Sequence, residues 1–252
     1  MSNYHLNKDG SFLISDYNNA YPFFNFLPAV AGAWGIPLWA FYTNRAQCIT
    51  SFGVHDKNHS ILEFYPADRA LRAVSITGFR TFIRLNGKHY YEPFSSNVHN
   101  AQQNMRIESD SLHIEEANRD LKLNLSVDYF TLPECPFASL VRVLKIKNLS
   151  SKKINLKVAD GLARVIPFGA RDLFLKNLSR TLEAWVHSEI NDNVATFRLL
   201  VDPKDVAQTK LIEGANFNYS FFKDRGLEHP RYIVDPYTIF GMDTSFRVPA
   251  RF

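Results

Sequence analysis

Residues 121–129 read LKLNLSVDY, with apolar side chains at every second position: Leu121, Leu123, Leu125, Val127 and Tyr129. Successive side chains of an extended chain point to opposite faces, so this spacing puts five apolar groups on one side of a β-strand. Downstream, Pro133 and Pro136 interrupt the run, and Leu140 to Leu149 resumes it with Val, Leu and Ile. Asn148 to Lys152 supplies turn-forming residues, after which Ile154, Leu156 and Val158 alternate with Lys153, Asn155 and Lys157. The pattern predicts a hairpin between Leu140–Leu149 and Ile154–Val158, apolar inside and cationic outside.

Upstream, Gln47 to Val54, Phe79 to Leu85 and Ser111 to Ala117 also read as strands, and Asn86-Gly87 provides a turn joining Phe79–Leu85 to His89–Tyr91. Val194 to Asp202 and Asn216 to Phe222 continue the β character. One segment departs from it: Phe174, Leu178, Leu182 and Trp185 recur at helical spacing behind Asp172, which predicts a helix from about Arg171 to Ile190. The high aromatic content, 21 Phe and 11 Tyr, suits half-buried pleated surfaces. The fold expected is therefore mainly β: two antiparallel sheets packed as a sandwich, with one principal helix near 171–190 over an outer face or an edge. No repeat of fixed period supports a propeller or solenoid. No Pro/Gly/Ser-rich linker divides the 252 residues, so 1–252 is read as one domain.

The balance of 29 basic against 25 acidic residues gives a net charge of only +4, with no Arg-rich tract, and nucleic acid is not an expected partner. The most basic stretch, Arg142 to Lys157, reads as lysines on an exposed sheet face or edge. Cys48 and Cys135 are far apart and outside any CxxC pair, so neither a disulfide framework nor a zinc site is indicated; a reducing, cytoplasmic setting fits. Phe23 to Tyr42 carries no charge and approaches the length of a membrane span. Pro28 and Pro37 would interrupt such a helix, Gly32 and Gly35 would weaken it, and Asn25 adds a polar group that lipid does not solvate. No membrane partner is expected.

Chemistry leaves few marks. The chain has no GxSxG, GxGxxG or GxxxxGK sequence. His55 and His59 flank Asp56 in what reads as a polar turn, and His113 with Glu115 and Glu116 lacks the second histidine of HExxH. Strand alternation sends His113 and Glu115 to one outer face. No metal site, cofactor or catalytic residue is assigned. Glu63, Asp68, Asp128 and Asp160 lie in apolar sequence, where burial raises a carboxyl pKa, but nothing pairs them as the acid and base of a glycosidase.

The unusual stretch is Gly32 to Gly53, GAWGIPLWAFYTNRAQCITSFG. Trp34, Trp39, Tyr42 and the later Tyr65 offer ring faces to sugar C–H groups, and Asn44, Arg45 and Gln47 offer hydrogen bonds to hydroxyls or phosphate. Buried packing accounts for the same rings nearly as well.

The segments GIPLWAFYTNR, SFGV, EFYPADRA and GFRTFIR, with YFTLPECPFASLVRVLKIKNLS, LFLKNLSRTLEAW and FGMDTS further on, resemble the opening of the cellobiose-phosphorylase-like glycoside phosphorylases. The resemblance implies an N-terminal β-sandwich of the galactose-mutarotase-like kind, followed in complete enzymes by a helical linker and an (α/α)6 barrel. It also implies inverting cleavage of β-glucosides, with inorganic phosphate as co-substrate and an Asp of the barrel as general acid. This sequence departs from that plan: it has no run of amphipathic helices able to form a barrel and stops at Phe252, where the sandwich should be ending. The expectation is thus a carbohydrate-associated domain, without catalysis of its own, that helps shape the site and assemble a dimer. By analogy Trp39, Asn44, Arg45 and Arg80 are its substrate-binding candidates. The implied partners are a β-glucoside or oligosaccharide and the missing catalytic domain or a second copy. A self-contained mutarotase- or epimerase-like enzyme and a purely structural interaction domain are the rival readings.

Overall fold

The structure, a computed structural model, describes residues 3–204, 206–226 and 228–252. Along the chain the strands are β1 (Tyr4–Leu6), β2 (Phe12–Ser15), β3 (Phe24–Leu27), β4 (Val30–Ala31), β5 (Ile36–Thr43), β6 (Ile49–Val54), β7 (Ser60–Leu62), β8 (Arg80–Leu85), β9 (His89–Tyr91), β10 (Ala101–Ile107), β11 (Ser111–Asn118), β12 (Leu123–Thr131), β13 (Leu140–Asn148), β14 (Leu156–Gly161), β15 (Val186–Asn191), β16 (Val194–Leu199) and β17 (Asn216–Tyr219). Among the described residues three short α-helices accompany them: α1 (Ala67–Thr77), α2 (Asp172–Asn177) and α3 (Tyr237–Phe240).

The fold is mainly β, and its sheets are antiparallel. A six-stranded sheet runs β1-β2-β10-β11-β12-β13. A five-stranded sheet runs β3-β5-β6-β7, with β4 also paired to β5, and two three-stranded sheets run β14-β8-β9 and β15-β16-β17. Four sheets, a propeller-like division, thus stand where the sequence reading places two. They are unequal in strand number, so no repeat announces them.

Alternation builds the largest sheet as expected. Leu123, Leu125, Val127 and Tyr129 of β12 are all buried, and β11 alternates in the same way with Leu112, Ile114, Glu116 and Asn118 turned inward. One core is shared by three sheets: Ile14, Met105 and Leu125 come from the six-stranded sheet, Leu38, Tyr42 and Ile49 from the five-stranded sheet, and Ile83, Leu85 and Tyr91 from β8 and β9. Each such side chain contributes about 1.5–3 kcal/mol by leaving water. The opposite face of β8 carries Phe82, which is covered by Phe240, Phe246 and Phe252 of the C-terminal segment. Both faces of β8 are therefore packed.

The predicted hairpin between Leu140–Leu149 and Ile154–Val158 does not form. β13 pairs with β12, whereas β14 crosses over to pair with β8. The crossing is fixed at Asn86, whose backbone N–H donates to the Asn155 carbonyl and whose side-chain oxygen accepts the Asn155 N–H.

The helix predicted over 171–190 is broken up. α2 ends at Asn177, a 3-10 segment covers Ser179–Trp185, and Val186–Asn191 is a strand. The apolar stripe is used as expected, since Phe174, Leu178, Leu182 and Trp185 pack with Ile166, Ala170 and Leu199. β-Branched Val186 and Ile190 then favour extension, and Asp192 and Asn193, at φ 45° and 66°, make the tight turn that pairs β15 with β16. Asp172 is not the N-cap of α2 but lies in its first turn, where its charge is favourable, and holds Lys57 and Lys176 by ion pairs.

α1 was not anticipated. Its apolar stripe is only Ala70 and Val74 on the buried side, with Asp68 placed favourably in the first turn. Phe23 to Tyr42 contributes β3, β4 and most of β5, and no helix among the described residues is long and apolar enough to cross a membrane.

Candidate functional site

Arg80 opens β8, and its guanidinium lies at the meeting point of three segments. Nε donates to Glu92 Oε1 at 2.7 Å and an Nη2 hydrogen to Glu92 Oε2 at 3.0 Å, the two-pronged arrangement that a planar guanidinium and a carboxylate favour. The remaining donors reach the Phe246 carbonyl and, at 2.9 Å, the Arg247 carbonyl. The face of the group stacks over Phe82 at 4.6 Å. Arg80 therefore ties the C-terminal segment to the β8–β9 hairpin.

Beside this anchor is a cleft of about 270 Å³. Gln47, Ser75 at the end of α1, Ser95 and the exposed Arg247 line it with polar groups, Glu92 supplies a carboxylate, and the Phe79 ring forms part of the wall. A second cleft, of about 320 Å³, shares Glu92 and Ser95 with the first.

Gln47 connects the cleft lining to a charged network behind it. The Gln47 amide donates to Thr81 Oγ1 at 3.0 Å, and Thr81 donates to Asp160 at 2.5 Å. Arg142, on β13, donates to Asp160, to the Gln47 carbonyl oxygen of the side chain and to Tyr129 Oη, while Tyr129 donates to the Gln47 main-chain carbonyl at 2.8 Å. Burial works to lower the Arg142 pKa, but Asp160 and the Tyr129 phenol outweigh it and raise the group above its ordinary value. Arg142 is thus a buried cation, in contrast to the exposed sheet face expected for the basic stretch that begins with it.

The 92–95 segment is itself held from below. Glu116 is fully buried, and its Oε2 accepts from Phe94 N–H at 2.5 Å and from Gln103 Nε2 at 2.7 Å. Asn18 bridges Gln103 and the Phe94 carbonyl. Glu116 Oε1 is buried with no hydrogen-bond partner among the described residues. Burial pushes this carboxyl up to about 8, against a lowering by the Phe94 N–H.

Of the four binding candidates, only Arg80 lines the cleft. Asn44 is buried, with its amide donating to the Tyr17 and Tyr21 carbonyls and its oxygen accepting the Phe23 N–H. Arg45 donates to the carbonyls of Tyr17, Asn44 and Ala20. Together they lock the 17–23 turn. Trp39 donates from Nε1 to the Asp56 carbonyl at 3.2 Å and packs edge-on against Phe64. Tyr42 is in the core, Tyr65 donates to Glu63, and Trp34 is 93% exposed on a turn.

The other acids are engaged elsewhere. Asp128 accepts from His113 at 2.5 Å and from Lys145 at 2.8 Å, as cross-strand pairs on the outer face of the six-stranded sheet. Asp68 lies exposed on α1. His59 bonds to Asp56 within its polar turn. Among the described residues no group of three or more His, Cys, Asp or Glu is placed to hold a metal ion.

Glu92, Ser75, Ser95 and Arg247 are the cleft residues that sequence reasoning passes over. The signal for Glu92 was available: the hairpin pairs Ile83 with Tyr91, and extending that register by one step puts Glu92 diagonal to Arg80 on the same face. Arg247 carries no such mark, being far away in sequence. No protein-family model matches the chain, and comparison with curated proteins gives no match.

Proposed function

We propose that the chain is a non-catalytic, carbohydrate-associated domain, a galactose-mutarotase-like β-sandwich of the kind that opens the cellobiose-phosphorylase-like glycoside phosphorylases. In this reading it helps shape a β-glucoside site and assemble the enzyme around it, in the cytoplasm, where Cys48 and Cys135 stay free thiols. The sandwich is supported by the core that the six-stranded and five-stranded sheets share.

The observation that carries the ligand is the Arg80 cleft. Its polar groups Ser75, Ser95, Glu92 and Arg247, beside the Phe79 ring, suit a compact molecule rich in hydroxyls. Glu92 is already neutralised by Arg80, so it orients the ligand instead of transferring protons. A lone, paired carboxylate does not supply the two carboxyl groups of glycoside hydrolysis. Inorganic phosphate enters only as co-substrate of the complete enzyme, together with the helical barrel.

Calorimetric titration of the purified chain with cellobiose tests this reading. It predicts saturable, millimolar binding that Arg247→Ala weakens, and no release of glucose 1-phosphate when phosphate is added. Absence of any binding heat, or phosphorolysis by the chain alone, would sink it.

A further inference from the structure

β15 is the edge of a three-stranded sheet, and among the described residues its outer side pairs with nothing. Its sequence, VHSEIN, has every residue exposed or half-exposed. Natural edge strands are guarded by lysines, prolines, bulges or covering segments. The edge strands β1, β3, β7 and β9 are only three or four residues long, and very short edges are poor templates for pairing. β13, the edge of the six-stranded sheet, carries Lys145 and Lys147, and β14 carries Lys157. β17 is followed by Ser220, whose main chain is bonded by His229 and Tyr232. β15 has neither lysine nor proline and shows no register shift in its pairing with β16.

The backbone parity of β15 is fixed by its hairpin. Leu200 N–H donates to the Trp185 carbonyl, and Asn191 faces Val194 across the two-residue turn. Antiparallel pairs alternate between hydrogen-bonded and open. His187, Glu189 and Asn191 therefore spend their main-chain groups on β16, while Val186, Ser188 and Ile190 direct theirs outward. A second β15 joining antiparallel about a two-fold axis must use those outward groups, so the axis passes through His187, Ser188 or Glu189. Centring on His187 sets two imidazoles opposite each other, and centring on Glu189 sets two carboxylates opposite each other. Centring on Ser188 sets His187 opposite Glu189 and Val186 opposite Ile190, an imidazole–carboxylate pair on one face and an apolar pair on the other. Opposite charges and β-branched pairs directly across a ladder are favourable, and like charges are not.

We propose that two copies of this chain associate through β15, in antiparallel register with Ser188 opposite its own copy, to make a continuous six-stranded sheet. The proposal deepens the assembly part of the function given above and rests on that part; it does not depend on sugar binding. An isologous contact of this kind closes after two subunits.

The test uses the full chain without sugar, in a Cys135→Ser background that leaves only the buried Cys48. Light scattering is expected to give a concentration-dependent rise to the mass of two 28.9 kDa chains. Ser188→Cys is expected to form a covalent dimer under mild oxidation, because residues of a hydrogen-bonded pair lie about 5.5 Å apart at Cα. His187→Cys is expected to cross-link poorly. Glu189→Lys should weaken association about tenfold, since the two-fold axis repeats the altered pair, and adding His187→Glu should restore it. This charge swap keeps the test valid if either cysteine variant folds poorly. A chain that stays monomeric up to its solubility limit overturns the proposal, as does cross-linking at His187→Cys equal to that at Ser188→Cys. Dimerisation without cellobiose binding would leave this interface standing and remove only the carbohydrate reading.

Discussion

Arg142 and Asp160 form an ion pair between β13 and β14, strands that belong to different sheets and share no backbone ladder. The same guanidinium reaches Gln47, Thr81 and Tyr129, so one side chain ties the six-stranded sheet to Gln47 in the lining of the Arg80 cleft. Arg142 is buried but the Asp160 side chain is 29% exposed, so breaking the pair should cost more than an exposed pair is worth, but less than the ~3–5 kcal/mol of a fully buried one. Arg142→Ala should lower the urea midpoint accordingly, with the m-value unchanged. Combining Arg142→Met with Asp160→Leu should recover most of the loss, because both charges are then gone. A loss for the single variant under about 1 kcal/mol, the worth of an exposed pair, would contradict this assignment.

Glu116 makes stability depend on pH. Its folded pKa, about 8, lies above the ordinary carboxyl value of 4.5, so the folded state holds a proton that the unfolded chain releases. The stabilisation is complete below about pH 4, declines as the pH rises toward 8, and is flat above that. The upper bound on the change is roughly 5 kcal/mol. Glu116→Gln should remove this component, so that the difference in unfolding free energy between variant and wild type grows across pH 5–8. A constant difference over that range would show that Glu116 is already ionised in the folded state there.

Gly53 on β6 has no room for a side chain. A Cβ there would sit 2.6 Å from the His59 carbonyl oxygen and 2.8 Å from the Trp39 ring. Backbone cannot retreat as a flexible side chain does, so Gly53→Ala should cost about 2 kcal/mol and lower the melting temperature by roughly 5 °C. An unchanged melting curve would mean that β7 and Trp39 are not packed on β6 in this way.

Arg80 anchors the C-terminal segment through the Phe246 and Arg247 carbonyls. Arg80→Ala should speed amide exchange across residues 239–252 while leaving β11 and β12 protected, because those strands lie in the main core. Uniform loss of protection would assign Arg80 to the global fold instead of to this clasp.

The parts of the fold that local alternation controls were legible: β11, β12, β13 and the β8–β9 hairpin follow from period-two patterns and the Asn86-Gly87 turn. The partner of β14 was not, because a short connection favours a hairpin and only the Asn86–Asn155 contact, far apart in sequence, redirects the strand. The helix expected over 171–190 failed at its second half, where apolar spacing suits a helix but Asp192-Asn193 make a hairpin turn. The same alternation that turns His113 and Glu115 outward turns Glu116 inward, so a buried carboxyl was predictable from β11 alone. At the site, Asn44 and Arg45 read equally well as ligand donors and as turn locks. Their actual acceptors are main-chain carbonyls of the 17–21 turn, which residue identity does not reveal.

The most direct measurement is amide chemical-shift mapping of the isotopically labelled chain during titration with cellobiose. The account predicts saturating shifts concentrated at Ser75, Ser95 and Arg247 around the Arg80 cleft, and their loss in Arg247→Ala. Shifts centred on the exposed Trp34 turn, or none at any attainable cellobiose concentration, would contradict it.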